Sequence, residues 1–156
     1  PEIDFGELGL SEDMVILTRG HERRLFLFDR AGELRREIET SWDTFDATVL
    51  ASSATTAAIA DYGHRKMEFW DLTTGTVIRR HPLPQWLSRS ELSPDGRWLA
   101  LFYSRAQFKP LVFELTEVAT GALMVMENID AFAFSEDGEG LWLSRGKQIL
   151  RYQEID

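Results

Sequence analysis

The chain contains no cysteine among its 156 residues, so it can form neither a disulfide framework nor a thiolate metal site. Long apolar runs are also missing. The longest, Trp98–Tyr103, falls far short of the roughly 18 residues that a membrane-spanning helix needs. No basic segment followed by an apolar one opens the chain. We therefore expect a soluble, cytoplasmic protein that makes no contact with a membrane.

Signatures of catalysis are absent from the sequence as well. It has no Gly-x-Ser-x-Gly elbow, no His-Glu-x-x-His helix and no glycine-rich phosphate loop before a helix. Nucleophilic catalysis therefore has no candidate residue. We expect the protein not to be an enzyme and to need no cofactor.

Basic residues are the minority charge in this chain. Lys and Arg number 17 against 26 Asp and Glu, which gives a formal net charge of −9. Such a balance repels polyphosphate backbones unless the cations gather on one face. Nucleic acid is therefore a poor default partner.

What the chain does contain is a repeated pattern. Leu10, Leu50, Leu92 and Phe134 occupy the same place before a turn, at steps of 40, 42 and 42 residues. Each copy reads as a turn, an apolar strand, a polar loop, a second apolar strand, a further turn and an outer strand. Strand-built periods of about 40 to 45 residues are typical of β-propeller blades.

The pattern predicts an all-β fold of four-stranded antiparallel blades within one domain, residues 1–156. The predicted blades are approximately 5–39, 47–84, 89–128 and 129–156.

Short motifs support this interpretation. They are the turns Ser93-Pro94-Asp95-Gly96 and Ser135-Glu136-Asp137-Gly138, the pairs Trp70-Asp71 and Phe28-Asp29, and the dipeptides Thr74-Gly75 and Thr120-Gly121. With these motifs the whole chain resembles the tryptophan-aspartate (WD) repeat propellers and their looser bacterial relatives. The resemblance implies a propeller of WD-like blades.

The fourth copy stops after its third strand, so the chain holds roughly 3.7 blades, whereas closed propellers need about four to eight. Open ends expose sheet edges and apolar faces that invite pairing with another chain. Three solutions are open. The chain is a part of a longer propeller, or two copies complete each other as a homodimer, or residues 2–4 supply the missing outer strand.

Histidine is the usual acid-base or ligand residue near neutral pH. His21 and His64 follow glycine at the same place in consecutive repeats. In adjacent blades such loops lie on one rim, where the two imidazoles could approach each other and share a metal or small ligand. The simpler interpretation is turn chemistry inherited by duplication, and no other repeat supplies a third ligand. We therefore predict no resident metal.

Charge sorts by loop type in the predicted blades. The loops between second and third strands, with their edges, hold nine basic residues: Arg19, Arg23, Arg24, Arg65, Lys66, Arg105, Lys109, Arg145 and Lys147. The turns at the other end hold mostly Asp and Glu. Because antiparallel strands alternate in direction, the two loop sets emerge at opposite ends of each sheet. The sequence thus predicts a basic face and an acidic face, diluted on the basic side by acidic residues such as Glu127 and Asp130.

Tryptophans divide into two groups. Trp70, Trp98 and Trp142 lie within strands, as do Phe102 and Phe134, and we expect them to pack between sheets. Trp42 and Trp86 fall in the irregular connections between blades, and they are candidate contact residues because exposed tryptophan often dominates interface energy.

The leading hypothesis is a rigid scaffold for protein–protein interaction whose Arg-rich face binds a protein or an acidic peptide. The candidate binding residues are Arg19, His21, Arg23, Arg65, Lys66, Arg105, Arg145, Lys147, Trp42 and Trp86. The alternatives are a ligand-binding, metal-binding or enzymatic propeller with its site near His21 and His64, and a module needed only for self-assembly.

Overall fold

Residues 8–10, 14–19, 23–40, 47–107 and 110–153 are described by a computed structural model, and every regular element within them is a β-strand. The strands are β1 (Leu8–Leu10), β2 (Met14–Arg19), β3 (Arg24–Asp29), β4 (Leu34–Glu39), β5 (Ala47–Ser52), β6 (Thr56–Asp61), β7 (Lys66–Asp71), β8 (Thr76–Pro82), β9 (Trp86–Leu92), β10 (Trp98–Ser104), β11 (Leu111–Glu117), β12 (Leu123–Glu127), β13 (Ala131–Phe134), β14 (Gly140–Arg145) and β15 (Gln148–Gln153). No helix that could cross a bilayer occurs in these ranges.

The strands form four antiparallel sheets in which each strand pairs with the next along the chain. We call the sheets blade 1 (β1–β4), blade 2 (β5–β8), blade 3 (β9–β12) and blade 4 (β13–β15). The prediction of an all-β fold of propeller-type blades is confirmed. The described part of blade 4 has three strands and lacks the outer strand that the other blades have.

The chain divides into two compact units, Pro1–Leu83 with blades 1 and 2, and Pro84–Asp156 with blades 3 and 4. The predicted single domain over residues 1–156, with the blade limits given above, stays a prediction.

Burial explains why the inner strands read as apolar runs and the outer strands alternate. All six residues of β6 are buried, and β10 is buried except for Tyr103. The outer strand β8 instead alternates between exposed and half-buried residues. A strand with neighbours on both sides and apolar contacts on both faces has no solvent-facing positions, whereas an outer strand keeps the two-residue period.

The core of the first unit lies between blades 1 and 2. Ile16, Leu25, Leu27 and Ile38 of blade 1 form one cluster with Ala57, Ile59 and Trp70 of blade 2, among others. Inter-blade hydrogen bonds reinforce this contact. The buried Thr18 hydroxyl donates to the Ala47 carbonyl over 3.1 Å.

Arg36 joins the same two blades at their other end. Its Nη1 donates to the Thr73 carbonyl, and its Nη2 donates to the Thr74 carbonyl over 2.6 Å. A Cβ on Gly75 would lie 3.0 Å from Arg36 Nη2, and Gly75 has a φ of +74°. Glycine at this turn therefore serves both the left-handed backbone and the close approach of the guanidinium.

The core of the second unit lies between blades 3 and 4. It gathers Trp98, Ala100, Phe102, Phe113, Leu115, Ile129, Phe132, Leu141 and Leu143. Three of these rings pack edge-on or tilted, with Phe102 5.6 Å from Phe113 and 5.1 Å from Phe132 between ring centroids. The aromatic residues predicted to pack between sheets therefore do so in blade 3.

Two tryptophans depart from their predicted positions. Trp86 begins strand β9, where it pairs with Ser104, instead of lying in an irregular connection. Trp142 is 39% exposed instead of packed between sheets. Trp142 does lie within a strand, β14, as predicted. The expectation that a second sheet covers its side chain is wrong.

Candidate functional site

The loops between the second and third strands form the candidate site. Their described residues are 23, 62–65, 105–107, 110 and 146–147, and we call these the basic loops. In each blade they lie at the end of the sheet opposite the connection between its first two strands, because neighbouring strands are antiparallel. The structure thereby places five predicted contact residues at exposed positions of these loops or their edges: Arg23, Arg65, Arg105, Arg145 and Lys147.

Arg23 and Arg65 share an unusual backbone. Each directly precedes the third strand of its blade, and their φ angles are 52° and 51°. A long side chain is uncommon in this left-handed region. In both loops the conformation is tied down by the chain that leaves the outer strand. Thr40 N–H donates to the Arg23 carbonyl over 2.8 Å, and Leu83 N–H donates to the Arg65 carbonyl over 3.0 Å.

The loop of blade 2 is anchored by Asp61, whose side chain is only 1% exposed. Its Oδ1 accepts the His64 backbone N–H over 3.0 Å, and its Oδ2 lies 2.8 Å from His64 Nδ1. The imidazole side chain is 48% exposed, so one carboxylate orients a solvent-facing ring from beneath. When Nδ1 carries the proton and donates it to Asp61, Nε2 is left as an acceptor.

A buried charge network continues from Asp61 into the sheet. Lys66 Nζ lies 3.5 Å from Asp61 Oδ2 and 3.3 Å from Glu68 Oε1, and Arg80 Nε donates to Glu68 Oε1 over 2.9 Å. The Glu68 side chain is fully buried, whereas that of Arg80 is 59% exposed. Cross-strand register creates these contacts, since Lys66 pairs with Asp61 and Glu68 pairs with Arg80. In these contacts two buried carboxylates face two cations.

Lys66 lies at the edge of the blade 2 loop, as predicted, where it begins β7, but its side chain turns inward. Its ammonium is turned to the two buried carboxylates, and its side chain is only 27% exposed. Asp61, Glu68 and Arg80 were not among the residues predicted from the sequence. The position of Glu68, a charged residue in the middle of an apolar third strand, could have indicated a buried carboxylate. Its partners could not be predicted, because they depend on the register between strands.

Blade 3 carries a glutamate at the position equivalent to Glu68. Glu114 is 5% exposed and accepts hydrogen bonds from the Tyr103 hydroxyl over 2.9 Å and from the Thr116 hydroxyl over 3.2 Å. Burial first, and then the adjacent Glu114, raises the pKa of Tyr103 above its usual value of 10.0. The buried glutamate is therefore hydrogen-bonded by hydroxyl groups in blade 3 and contacted by cations in blade 2.

The basic loops of the second unit are partly neutralised. Arg105 Nη1 lies 3.4 Å from Glu127 Oε1, and Arg145 Nη2 donates to the Glu127 carbonyl over 3.2 Å. The Asp130 carboxylate accepts the Gly146 N–H. Lys147, in contrast, is exposed and forms no side-chain contact of this kind with another described residue. The acidic residues expected to dilute the basic end thus contact it directly.

Three predicted residues, His21, Trp42 and Lys109, lie outside the described residues. Of Arg19 only the backbone is described, as the end of β2. The predicted approach of His21 to His64 therefore stays a prediction. Among the described residues, no three His, Asp or Glu side chains are grouped in a way that could hold a metal ion.

Acidic turns occupy the opposite end of the blades. Asp29 Oδ1 accepts the N–H groups of Ala31 and Glu33, and Asp71 Oδ1 accepts those of Thr73 and Thr74. The backbone hydrogen bonds from Glu33 and Thr74, respectively, are the main reason that the pKa values of Asp29 and Asp71 lie below the usual 3.8. These turn carboxylates are therefore already ionised and satisfied near neutral pH.

A scan against protein-family models finds no match to this chain. A search of curated proteins finds none either. Among solved structures, the chain is similar to Kuenenia stuttgartiensis hydrazine synthase at 10% sequence identity and a TM-score of 0.45. The alignment covers 92% of this chain and 56% of that chain, so this chain spans little more than half the length of that protein. A likeness at this level carries no argument about function.

Proposed function

We propose that the chain is an interaction module of propeller-type blades whose basic loops bind an acidic surface or peptide of a protein partner. The basic loop of blade 2 carries this proposal. There, a buried network supports an exposed loop whose Arg65 guanidinium forms no ion pair or hydrogen bond with another described residue.

The loop of blade 2 has few degrees of freedom to lose on binding. Asp61 holds His64 at two atoms, and the Arg65 carbonyl accepts the Leu83 N–H. Binding costs about 0.5–1.5 kcal/mol for each flexible side chain that must be ordered, in addition to any loop ordering. A loop that is already held in place avoids part of that cost, which favours a recognition role.

The exposed side chains of the loop suit a carboxylate-rich partner. Tyr62 is 47% exposed, and His64 and Arg65 stand beside it. Tyrosine and arginine are enriched among the residues that dominate binding energy, and the guanidinium fork matches a carboxylate with two parallel hydrogen bonds. An acidic segment is therefore the partner chemistry that fits this loop.

Carboxylates at the opposite end of the blades favour binding at the basic loops. The chain as a whole carries −9, and carboxylates such as Asp29 and Asp71 occupy the opposite end of their blades. Such carboxylates disfavour an acidic partner at that end, whereas the exposed Arg65 of the blade 2 loop attracts it. Attraction between exposed charges is screened by salt, so binding is expected to weaken as ionic strength rises.

A charge-reversal pair tests the proposal. Arg65→Glu is expected to weaken binding of a fluorescein-labelled poly-glutamate peptide by about tenfold or more, as loss of a charge-assisted hydrogen bond implies. Arg30→Glu is the matched control, because Arg30 is equally charged and exposed but lies in the turn between β3 and β4, at the opposite end of blade 1. Fluorescence polarisation measures both affinities, and the control is expected to stay within about twofold.

Equal losses in the two variants would show that net charge, and not the basic loops, attracts the peptide. Tighter binding of poly-lysine than of poly-glutamate by the unmodified chain would also contradict the proposal, since the acidic end would then be the dominant binding surface.

A further inference from the structure

Blade 4 presents an apolar face to solvent. Ile149 is 74% exposed and Trp142 is 39% exposed, and the Arg151 guanidinium lies 5.0 Å from the centre of a Trp142 ring. Strand register places these three side chains on one side of the sheet, together with the exposed Ala131 and Ala133. We call this set the terminal face. The opposite side of blade 4, with Leu141 and Leu143, packs into the core shared with blade 3.

The same positions are buried in the other blades. The cross-strand pair Ser144 and Ile149 of blade 4 corresponds to Phe102 and Phe113 of blade 3. Both phenylalanines are buried, at 5% and 0% exposure, in the core against blade 4.

Blade 1 repeats the arrangement. Thr18 and Leu25 form the corresponding pair, and both are buried on the side that faces blade 2. In both units, these positions are therefore covered by the sheet that follows along the chain. A further blade is accordingly the kind of surface that fits the terminal face.

The chain also carries the complementary half of such a contact. Val15, Leu17, Phe26 and Phe28 line the side of blade 1 that faces away from blade 2, and the adjacent Leu34 is 51% exposed. We call these five residues the leading face.

The side of blade 2 that corresponds to the leading face receives the preceding blade. Ala57 and Ile59 occupy the positions equivalent to Val15 and Leu17, and both are buried against blade 1. By this equivalence, the leading face is the side of blade 1 on which a preceding blade would pack.

Charges on the two faces are complementary. The terminal face carries Arg151, whereas the leading face is bordered by Glu37 and Glu39 on β4 and by Arg24 on β3, with a formal charge of −1 in total. Glu37 pairs with Arg24 and Glu39 is exposed. Opposite signs across the contact favour terminal-to-leading docking over terminal-to-terminal docking, which would bring two Arg151 residues together.

We infer that the terminal face of each chain docks on the leading face of a second copy of this chain. A head-to-tail contact of this kind either closes or continues as an open assembly, and closure between two copies gives two equal contacts that leave no terminal face exposed. Together they supply eight sheets, counting four per chain, which is within the range of about four to eight blades in closed propellers. This inference is independent of the acidic partner proposed for the basic loops.

Mass in solution tests the inference. Light scattering on the eluting protein is expected to give twice the chain mass of 17.9 kDa. Ile149→Glu on the terminal face and Leu34→Glu on the leading face are each expected to give 17.9 kDa. Leu123→Glu is the matched control, because Leu123 is 54% exposed on β12 and belongs to neither face. It is expected to leave the dimer intact.

Mixing the two monomeric variants provides the decisive measurement. A pair of Ile149→Glu and Leu34→Glu chains retains one contact in which both faces are unmodified, so mixing is expected to restore dimer mass in part. Arg151→Glu is a second variant that adds no charged group to an apolar position, and it is expected to weaken the dimer. Far-UV circular dichroism checks that all variants stay folded.

Three results would overturn the inference. They are a mass of 17.9 kDa for the unmodified chain across a concentration series, a dimer unaffected by Leu34→Glu, or no dimer on mixing the two folded variants. The second result would mean that the terminal face docks on a surface other than the leading face.

Discussion

At the scale of single residues, two buried glutamates show how an apolar strand accommodates a carboxylate. Glu68 and Glu114 hold equivalent positions in blades 2 and 3, but the first contacts cations and the second contacts hydroxyl groups. A buried carboxylate is costly unless its oxygens are hydrogen-bonded or paired. Both solutions satisfy that condition, and the choice between them is made by the neighbouring strands.

Replacing Glu68 by glutamine is expected to destabilise the fold. The change keeps the size of the side chain but removes the charge that Lys66 and Arg80 contact. Because part of the network reaches solvent, we expect a loss of about 1–3 kcal/mol in the free energy of unfolding, at the lower end of what breaking a buried pair costs. Urea denaturation followed by circular dichroism measures it.

Glu127→Gln is the matched control for this experiment. Glu127 also forms an ion pair, with Arg105, but both side chains are 62% exposed. Exposed pairs contribute about 0–1 kcal/mol, so little change is expected. If Glu68→Gln were as stable as the unmodified protein, the network would not be what holds the blade 2 loop.

At the scale of elements, the turns between the first and second strands of blades 2, 3 and 4 share one kind of hydrogen bond, from a backbone N–H to a serine hydroxyl. In blades 3 and 4 the Ser93 and Ser135 hydroxyls accept backbone N–H groups from Trp98 over 2.9 Å and Gly140 over 2.7 Å. Ser53 does the same in blade 2 for the nearer Thr56 N–H, over 3.1 Å, in a shorter turn. The serine is thus the common element, and the Asp-Gly dipeptide that makes the motif visible in sequence is dispensable.

The turns between third and fourth strands predict a dependence of stability on pH. Asp29 and Asp71 have pKa values below 3.8 in the folded chain, chiefly because backbone N–H groups donate to their carboxylates. A depressed folded pKa contributes stability that is present above the unfolded value and lost as pH falls through the folded value. We therefore expect the free energy of unfolding to fall below pH 3.8, and to fall less steeply in a variant with Asp29→Asn and Asp71→Asn.

Chemical denaturation at a series of acidic pH values measures this slope. Asparagine keeps the acceptor oxygen for the turn but cannot take up a proton, so the comparison isolates the titration. Glu136→Gln, in an exposed turn of blade 4, is the control for removing one carboxylate. An acid slope unchanged in the double variant would mean that other carboxylates govern acid unfolding.

At the scale of the whole molecule, the exposed apolar faces connect stability to association. If folded chains bind each other and unfolded chains do not, the temperature of the unfolding midpoint rises with protein concentration. A tenfold increase is expected to raise the midpoint by about 2 °C, from about 1.4 kcal/mol per dimer and the usual entropy of unfolding. Scanning calorimetry at several concentrations measures the shift.

The Ile149→Glu variant provides the comparison. A chain that cannot dock its terminal face is expected to unfold at a midpoint independent of concentration. If the unfolding midpoints of the two proteins depended equally on concentration, docking of the terminal face would not contribute to the stability of the folded chain.

Much of the candidate site could be located from sequence, but its supporting contacts could not. The loops that carry Arg65, Arg105 and Arg145 follow from the repeat, because a polar segment between two apolar strands predicts a hairpin connection. The contacts that basic residues of these loops make could not be predicted from the sequence. Arg105 contacts Glu127, which is 22 residues further along the chain, and Lys66 contacts buried carboxylates on two strands.

The sequence by itself determined the order of the sheets and, apart from the start of β9 at Trp86, their strands and turns, since two-residue periodicity, turn chemistry and short connections act between near neighbours in the chain. Only the tertiary structure decided that Glu68 meets Arg80, that Lys66 turns inward, and that Trp142 is left exposed. Those outcomes depend on register between strands and on which sheet covers which face, and neither is encoded in the pattern of a single strand.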